Sequence, residues 1–240
     1  MHKEQGNILI LILIAVVLFA ALSYAVTQSS RGSGNTDKET GTLEVSELLN
    51  YVTSVRSAIN KMIVLGGSEE SICFKSSKWG HVSYGAASTG CGSRPVLFDE
   101  FGGETYLMFP KEEWLDTSFS SSSEYGSFTF SGQLHVRGIG SDGSNDENAE
   151  LSLIFPYVNE RMCALINESL GLPHDPIPVE DTESTIGSAL KRFGVAGERY
   201  MGSGSNVTII GDDNPLLFGK DMGCANSGSR YYFWAVLLER

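Results

Sequence analysis

Four cysteines, four histidines and one short acidic loop are the parts of this 240-residue chain whose types could do chemistry. Cys73, Cys91, Cys163 and Cys224 are too widely spaced for a compact zinc site. An even count permits two disulfides in an oxidising compartment, with three possible connectivities. The pairing favoured here joins sequence neighbours, Cys73 with Cys91 and Cys163 with Cys224. In the acidic loop, Asp142, Ser144 and Asp146 alternate with Gly143 and Asn145 and offer oxygen ligands for Ca2+. The EF-hand order needs Gly at its sixth place and a bidentate Glu at its twelfth. Glu147 and Leu153 stand there instead, so a solvated hairpin tip outweighs this weak Ca candidate.

The histidines are scattered. His135 lies between Leu134 and Val136, so strand alternation predicts that it faces away from them into solvent. His174 sits between Pro173 and Pro176, and His81 is the only histidine near a cysteine pair. No Gly-x-Ser-x-Gly elbow, His-Glu-x-x-His or Walker loop occurs. The chain is therefore expected not to be an enzyme and to carry no cofactor and no metal. Asn167-Glu168-Ser169 and Asn206-Val207-Thr208 fit the glycosylation pattern. The formal net charge of -12 disfavours nucleic acid and anionic lipid headgroups.

What must position these groups begins with an apolar run over residues 8–26, free of charge. About 20 such residues at a 1.5 Å rise match the roughly 30 Å hydrocarbon core of a bilayer. Tyr24, near the far end, suits an interface. His2 and Lys3 precede the run, which favours a cytoplasmic N-terminus, while Arg31 on the other flank weakens that bias. A cleaved secretory signal is the alternative, with Ser23-Tyr24-Ala25 as a small-x-small triplet. The run is longer than the usual signal core of about 7–15 residues.

The head Lys3-Glu4-Gln5-Gly6, followed at once by a long apolar helix, resembles the class III leader of type IV pilins and pseudopilins. The resemblance covers about the first 30 residues. It implies cleavage by a prepilin peptidase at the Gly6 and Asn7 junction. It also implies a retained helix bearing Ile8, Leu11, Ile14, Leu18, Leu22 and Val26, which packs in lipid or among sister subunits. Major pilins carry Glu at the fifth position after the cut. Here Leu11 stands there, which points to a minor or initiating subunit, and Asn7 is not the usual aromatic or Met. By the same likeness, a bond between Cys163 and Cys224 staples a C-terminal region onto a helix.

The expected organisation is a cytoplasmic leader (1–6), a transmembrane or filament-core helix (7–26), a flexible linker (27–42) and an exported domain (43–240). Within that domain, residues 43–65 have one apolar helical face. Short strands are predicted at 72–74 and 105–109, and one half-buried strand, or a pair broken at Ser131-Gly132, at 128–136. Helices are predicted at 156–170 and 181–193, and strands at 207–210, 216–218 and 231–238. The sum is an α+β plan: a transmembrane helix, a linker, and an amphipathic helix on a mainly antiparallel sheet head with extra helices.

Two functions follow as expectations. One is a membrane-anchored pilin-like subunit of a type IV pilus or type II secretion filament. Its partners would be the lipid bilayer, other pilin-like subunits and the prepilin peptidase. The other is a single-pass, membrane-anchored periplasmic or extracellular binding domain that does not assemble. Both place the chain in the inner membrane with its C-terminal domain outside.

Overall fold

A computed structural model describes residues 7–29, 33–66, 72, 74, 97–98, 103–122, 124–140, 150–180 and 208–239. The chain divides into two compact units, residues 1–44 and residues 45–240.

The first unit contains helix α1 (Asn7–Ser29) and the start of α2 (Ser33–Val64). The side chains of α1 that are described, residues 10–24, are exposed. Among the described residues no helix is long and apolar enough to cross a membrane. This corrects several expectations at once. The transmembrane helix, the pilin-like or pseudopilin architecture and the type IV pilus or type II secretion role lose the span they rest on. So do the lipid bilayer and filament partners, the single-pass inner-membrane placement, and the anchored binding domain that was the alternative. Helix α2 also starts ten residues earlier than the apolar pattern predicts, because Ser33 to Thr42 is helical without having an apolar face.

The second unit is a mixed α+β domain. Strands β1 (Thr129–Val136), β2 (Glu150–Val158), β3 (Thr208–Ile210), β4 (Met222–Ser227) and β5 (Arg230–Leu238) form one sheet, ordered β3-β1-β2-β5-β4. Only β1 and β3 run parallel. Period-2 alternation sends Leu153, Phe155, Phe233 and Ala235 into one core with α2 and α3 (Glu160–Leu170). There they meet Val45, Leu48, Val52, Val55 and Ile59 of α2, and Met162 and Ile166 of α3. Each such aliphatic or phenyl side chain contributes about 1.5–3 kcal/mol when fully buried. The opposite face carries Ile154, Ile210, Tyr232, Trp234 and Val236, which cluster with Ile139 and Leu217. The continuously apolar sequence of β5 thus reflects a strand buried on both faces, with a neighbour on each side.

Strand β1 departs from its sequence pattern in an instructive way. Its apolar residues all fall on even positions, yet Phe128 and Phe130 join the first core and Leu134 and Val136 the second. The register shifts between Ser131 and Leu134, and one extra residue there swaps the faces. His135 is accordingly buried, not solvated as predicted. Its Nδ1 lies 3.1 Å from Glu150 Oε1, and Glu150 Oε2 accepts the Val136 N–H at 3.0 Å. The predicted helix over 156–170 is corrected too: Pro156 and Val158 belong to β2, and α3 starts only at Glu160. Asn159 caps that helix by accepting the Met162 N–H at 2.8 Å, and Gly171, at φ 68°, ends it. Residues 105–109 form no strand, and Pro215–Leu217 is a 3-10 turn. Residues 181–193 lie outside the described residues.

Two buried polar anchors tie α3 and the chain after it to the sheet. Asn167 accepts the Cys224 N–H at 2.9 Å, and its amide donates to the carbonyls of Cys224 (2.8 Å) and Pro173 (2.9 Å). One turn away on α3, Cys163 is bonded to Cys224. Farther along, Glu180 is 0 % exposed, and its Oε1 accepts the successive N–H groups of Gly211, Asp212 and Asp213 at 3.0, 3.2 and 3.3 Å. Its Oε2 has no partner among the described residues. Burial pushes the Glu180 carboxyl above its ordinary value of 4.5, the three N–H groups pull it back, and the Asp213 charge raises it again.

A raised acid binds more protons folded than unfolded, so its contribution is complete below pH 4.5 and is lost as pH rises through the folded value. Glu180→Gln keeps an acceptor oxygen but cannot ionise. Urea unfolding at pH 4 and pH 7 is expected to show the variant gaining on the native chain as pH rises. A variant that loses ground over that interval contradicts this reading.

Candidate functional site

The densest unexplained chemistry gathers where β2 gives way to α3, beside the tip of the β4–β5 hairpin. Tyr157 is its centre. This residue is 6 % exposed and adopts φ 58°, a left-handed conformation that bulky residues rarely take. The register between β2 and β5 breaks at this point, between Pro156 and Val158. The break frees the Tyr157 carbonyl to accept the Asp116 N–H at 2.9 Å. Leu115 bridges to Val158, and the Asn159 N–H donates to the Trp114 carbonyl at 2.8 Å. The Asn159 amide also reaches the Glu113 carbonyl at 2.7 Å. A loop of two 3-10 turns, Glu112–Trp114 and Thr117–Phe119, is thereby fastened along the strand end. Asp116 fixes the second turn by accepting from the Ser118 N–H (3.0 Å) and hydroxyl (2.6 Å).

That loop lays Phe119 against Tyr157, with ring centroids 5.1 Å apart and planes 24° apart. The guanidinium carbon of Arg230, from the first position of β5, stands 5.4 Å from the Phe119 centroid and 5.9 Å from that of Tyr157. Both distances lie within the reach of cation–π attraction. Tyr231, next to Arg230 on β5, pairs with Val158, and both it and Tyr125 are partly exposed.

Their hydroxyl pKa values report the local field. Burial raises that of Tyr231, and the charges of Glu160 and Asp116 add to it. Burial raises that of Tyr125, and Glu112 and Asp116 add to it. Asp116 therefore acts on tyrosines from two different segments. Glu112 and Glu160 are exposed and Asp116 partly so. The arrangement is an aromatic face edged with carboxylates. It can stack a flat or cationic group and hydrogen-bond its edge.

Cys163 and Cys224 are joined, with Cα atoms 5.4 Å apart. Gly6, Cys73, Cys91, Asp142, Ser144 and Asp146 lie outside the described residues, as do His81 and Asn206. Asn7, Ile8 and Val26 belong to the backbone of α1, and the side chains of Leu11, Ile14, Leu18 and Leu22 are exposed on it. His174 is exposed on its proline loop, with its Nδ1 3.4 Å from the Leu172 carbonyl. Asn167 is fully buried with its amide engaged, so the folded chain presents no acceptor for glycosylation there. Among the described residues no group of three His, Cys, Asp or Glu side chains could hold a metal ion.

Sequence reasoning missed Phe119, Tyr157 and Arg230 altogether. The one local signal was Pro156-Tyr157 inside an apolar stretch, where proline in a strand marks a bulge. Fold and site together define a disulfide-stapled α+β domain with an acidic aromatic face. Comparison with family models, with curated proteins and with solved structures finds no match for this chain.

Proposed function

We propose that this chain is a non-catalytic recognition domain. It holds a basic segment of a partner polypeptide against the face formed by Phe119, Tyr125, Tyr157 and Tyr231. The observation that carries the reading is the guanidinium of Arg230 over the rings of Phe119 and Tyr157, on a strand end where Asp116 is fastened to the Tyr157 carbonyl and acts, with Glu112 and Glu160, on Tyr125 and Tyr231. A cation gains from both the ring faces and the carboxylates there. The net charge of -12 steers positive partners toward the chain. A catalytic reading has less behind it, because His135 is sealed in the core and His174 faces the Leu172 carbonyl.

The test is a titration of the full chain with a short peptide alternating arginine and glycine, followed by tyrosine fluorescence. A glutamate counterpart and a neutral oligosaccharide serve as the other arms. Binding of the basic peptide is expected to weaken in 1 M salt, where screening reaches only about 3 Å. Asp116→Asn keeps the contacts to Ser118 but removes the charge, and is expected to weaken binding about threefold to fivefold. Equal binding of the glutamate peptide or the oligosaccharide refutes the proposal.

A further inference from the structure

We infer that the face is built for an arginine side chain of the partner, and that Arg230 is its built-in competitor. This rests on the recognition reading above and adds to it the identity of the bound group and the control of access. The guanidinium of Arg230 already occupies the position over Phe119 and Tyr157. It does so without an ion pair to any carboxylate among the described residues. Arg56 and Arg137, by contrast, are paired, with Asp221 at 2.8 Å and with Asp212 at 2.7 Å. Arg230 is held by ring faces, exposed, at the end of a two-residue turn that Gly228 permits at φ 66°. Such a contact is weak enough to be displaced.

An incoming arginine presents the same flat, delocalised fork and can also turn its N–H groups toward Asp116 and Glu160. A lysine ammonium has no planar face to lay on the rings. Arg230 thus marks the shape of the ligand and lowers the affinity of the open site for it.

The experiment uses the full chain and an acetylated, amidated Gly-Arg-Gly peptide, with lysine and citrulline counterparts. Binding is read from NMR shifts. Arg230→Ala is expected to bind the arginine peptide about twofold to fivefold more tightly than the native chain, the range a solvent-exposed cation–π contact spans. Arg230→Lys is expected to give a smaller gain. Lys220→Gln removes the same charge at the far end of the β4–β5 hairpin, beyond a Debye length, and is expected to leave binding unchanged. The citrulline peptide, flat but uncharged, is expected to bind neither form.

An Arg230→Ala chain that keeps its native spectrum and binds the arginine peptide no more tightly overturns the inference. If the native chain binds the peptide all the same, the recognition reading stands. If neither chain binds it, both fall. A lysine peptide that gains as much as the arginine peptide overturns the guanidinium assignment.

Discussion

Replacing Cys163 and Cys224 together by alanine is expected to lower the free energy of unfolding by about 2–4 kcal/mol. The bond spans 61 residues. Loop-closure entropy for a segment of that length puts the upper end near 4 kcal/mol. Both sulfurs lie in the first core, so the variant also loses buried contacts there. The disulfide ties α3 to β4, an edge strand whose outer side gains, among the described residues, one bridge, between Val179 and Asn226. Denaturant unfolding of the native and variant chains gives the difference directly. A loss below about 0.5 kcal/mol would mean that packing, not the crosslink, holds the edge strand.

Asn167→Ala is expected to cost about 2–4 kcal/mol. Truncation strands the buried Cys224 N–H and carbonyl and takes a donor from the half-buried Pro173 carbonyl, each having had this amide as a partner. A buried unpaired group costs about 1–3 kcal/mol. The Cys224 carbonyl and N–H both sit beside the disulfide, so the two perturbations share a site and should not add. Thermal unfolding of the single and combined variants tests this. Full additivity would show that the amide and the crosslink act on separate parts of the domain. Asn167→Asp is a sharper probe, since it keeps one acceptor and loses both donors. It should be at least as destabilising at neutral pH.

Part of this architecture is legible in the amino-acid order, and part is hidden for physical reasons. Tyr231 to Leu238 reads as a doubly covered strand because nothing in it alternates. The amphipathic spacing of α2 from Val45 onward reads as a core helix because Val45, Leu48, Val52, Val55 and Ile59 all reach the sheet. In contrast, β2 is masked because Pro156 argues against a central strand. The bulge beside it is what makes proline tolerable there. The same bulge sets the unusual backbone of Tyr157. The even-position pattern of β1 suggests a single buried face because alternation cannot reveal an inserted residue.

The N-terminal run carries the strongest local signal and the largest correction. Apolarity of sequence measures what a helix prefers as surroundings, yet among the described residues no helix is long and apolar enough to cross a membrane. The recognition face is invisible for a different reason. Asp116, Phe119, Tyr157, Glu160 and Arg230 come from three separate stretches of chain, and no one of them carries a motif. Only the sheet register and the loop fastened to its end bring them together.

The most direct measurement is amide and aromatic NMR of the full chain, recorded as an arginine-rich peptide is added at low salt. The account predicts that the signals of Phe119, Tyr125, Tyr157, Arg230 and Tyr231 move together and saturate, while those around Glu180 and Asn167 stay in place. Shifts that appear only elsewhere, or none at any peptide concentration, contradict it.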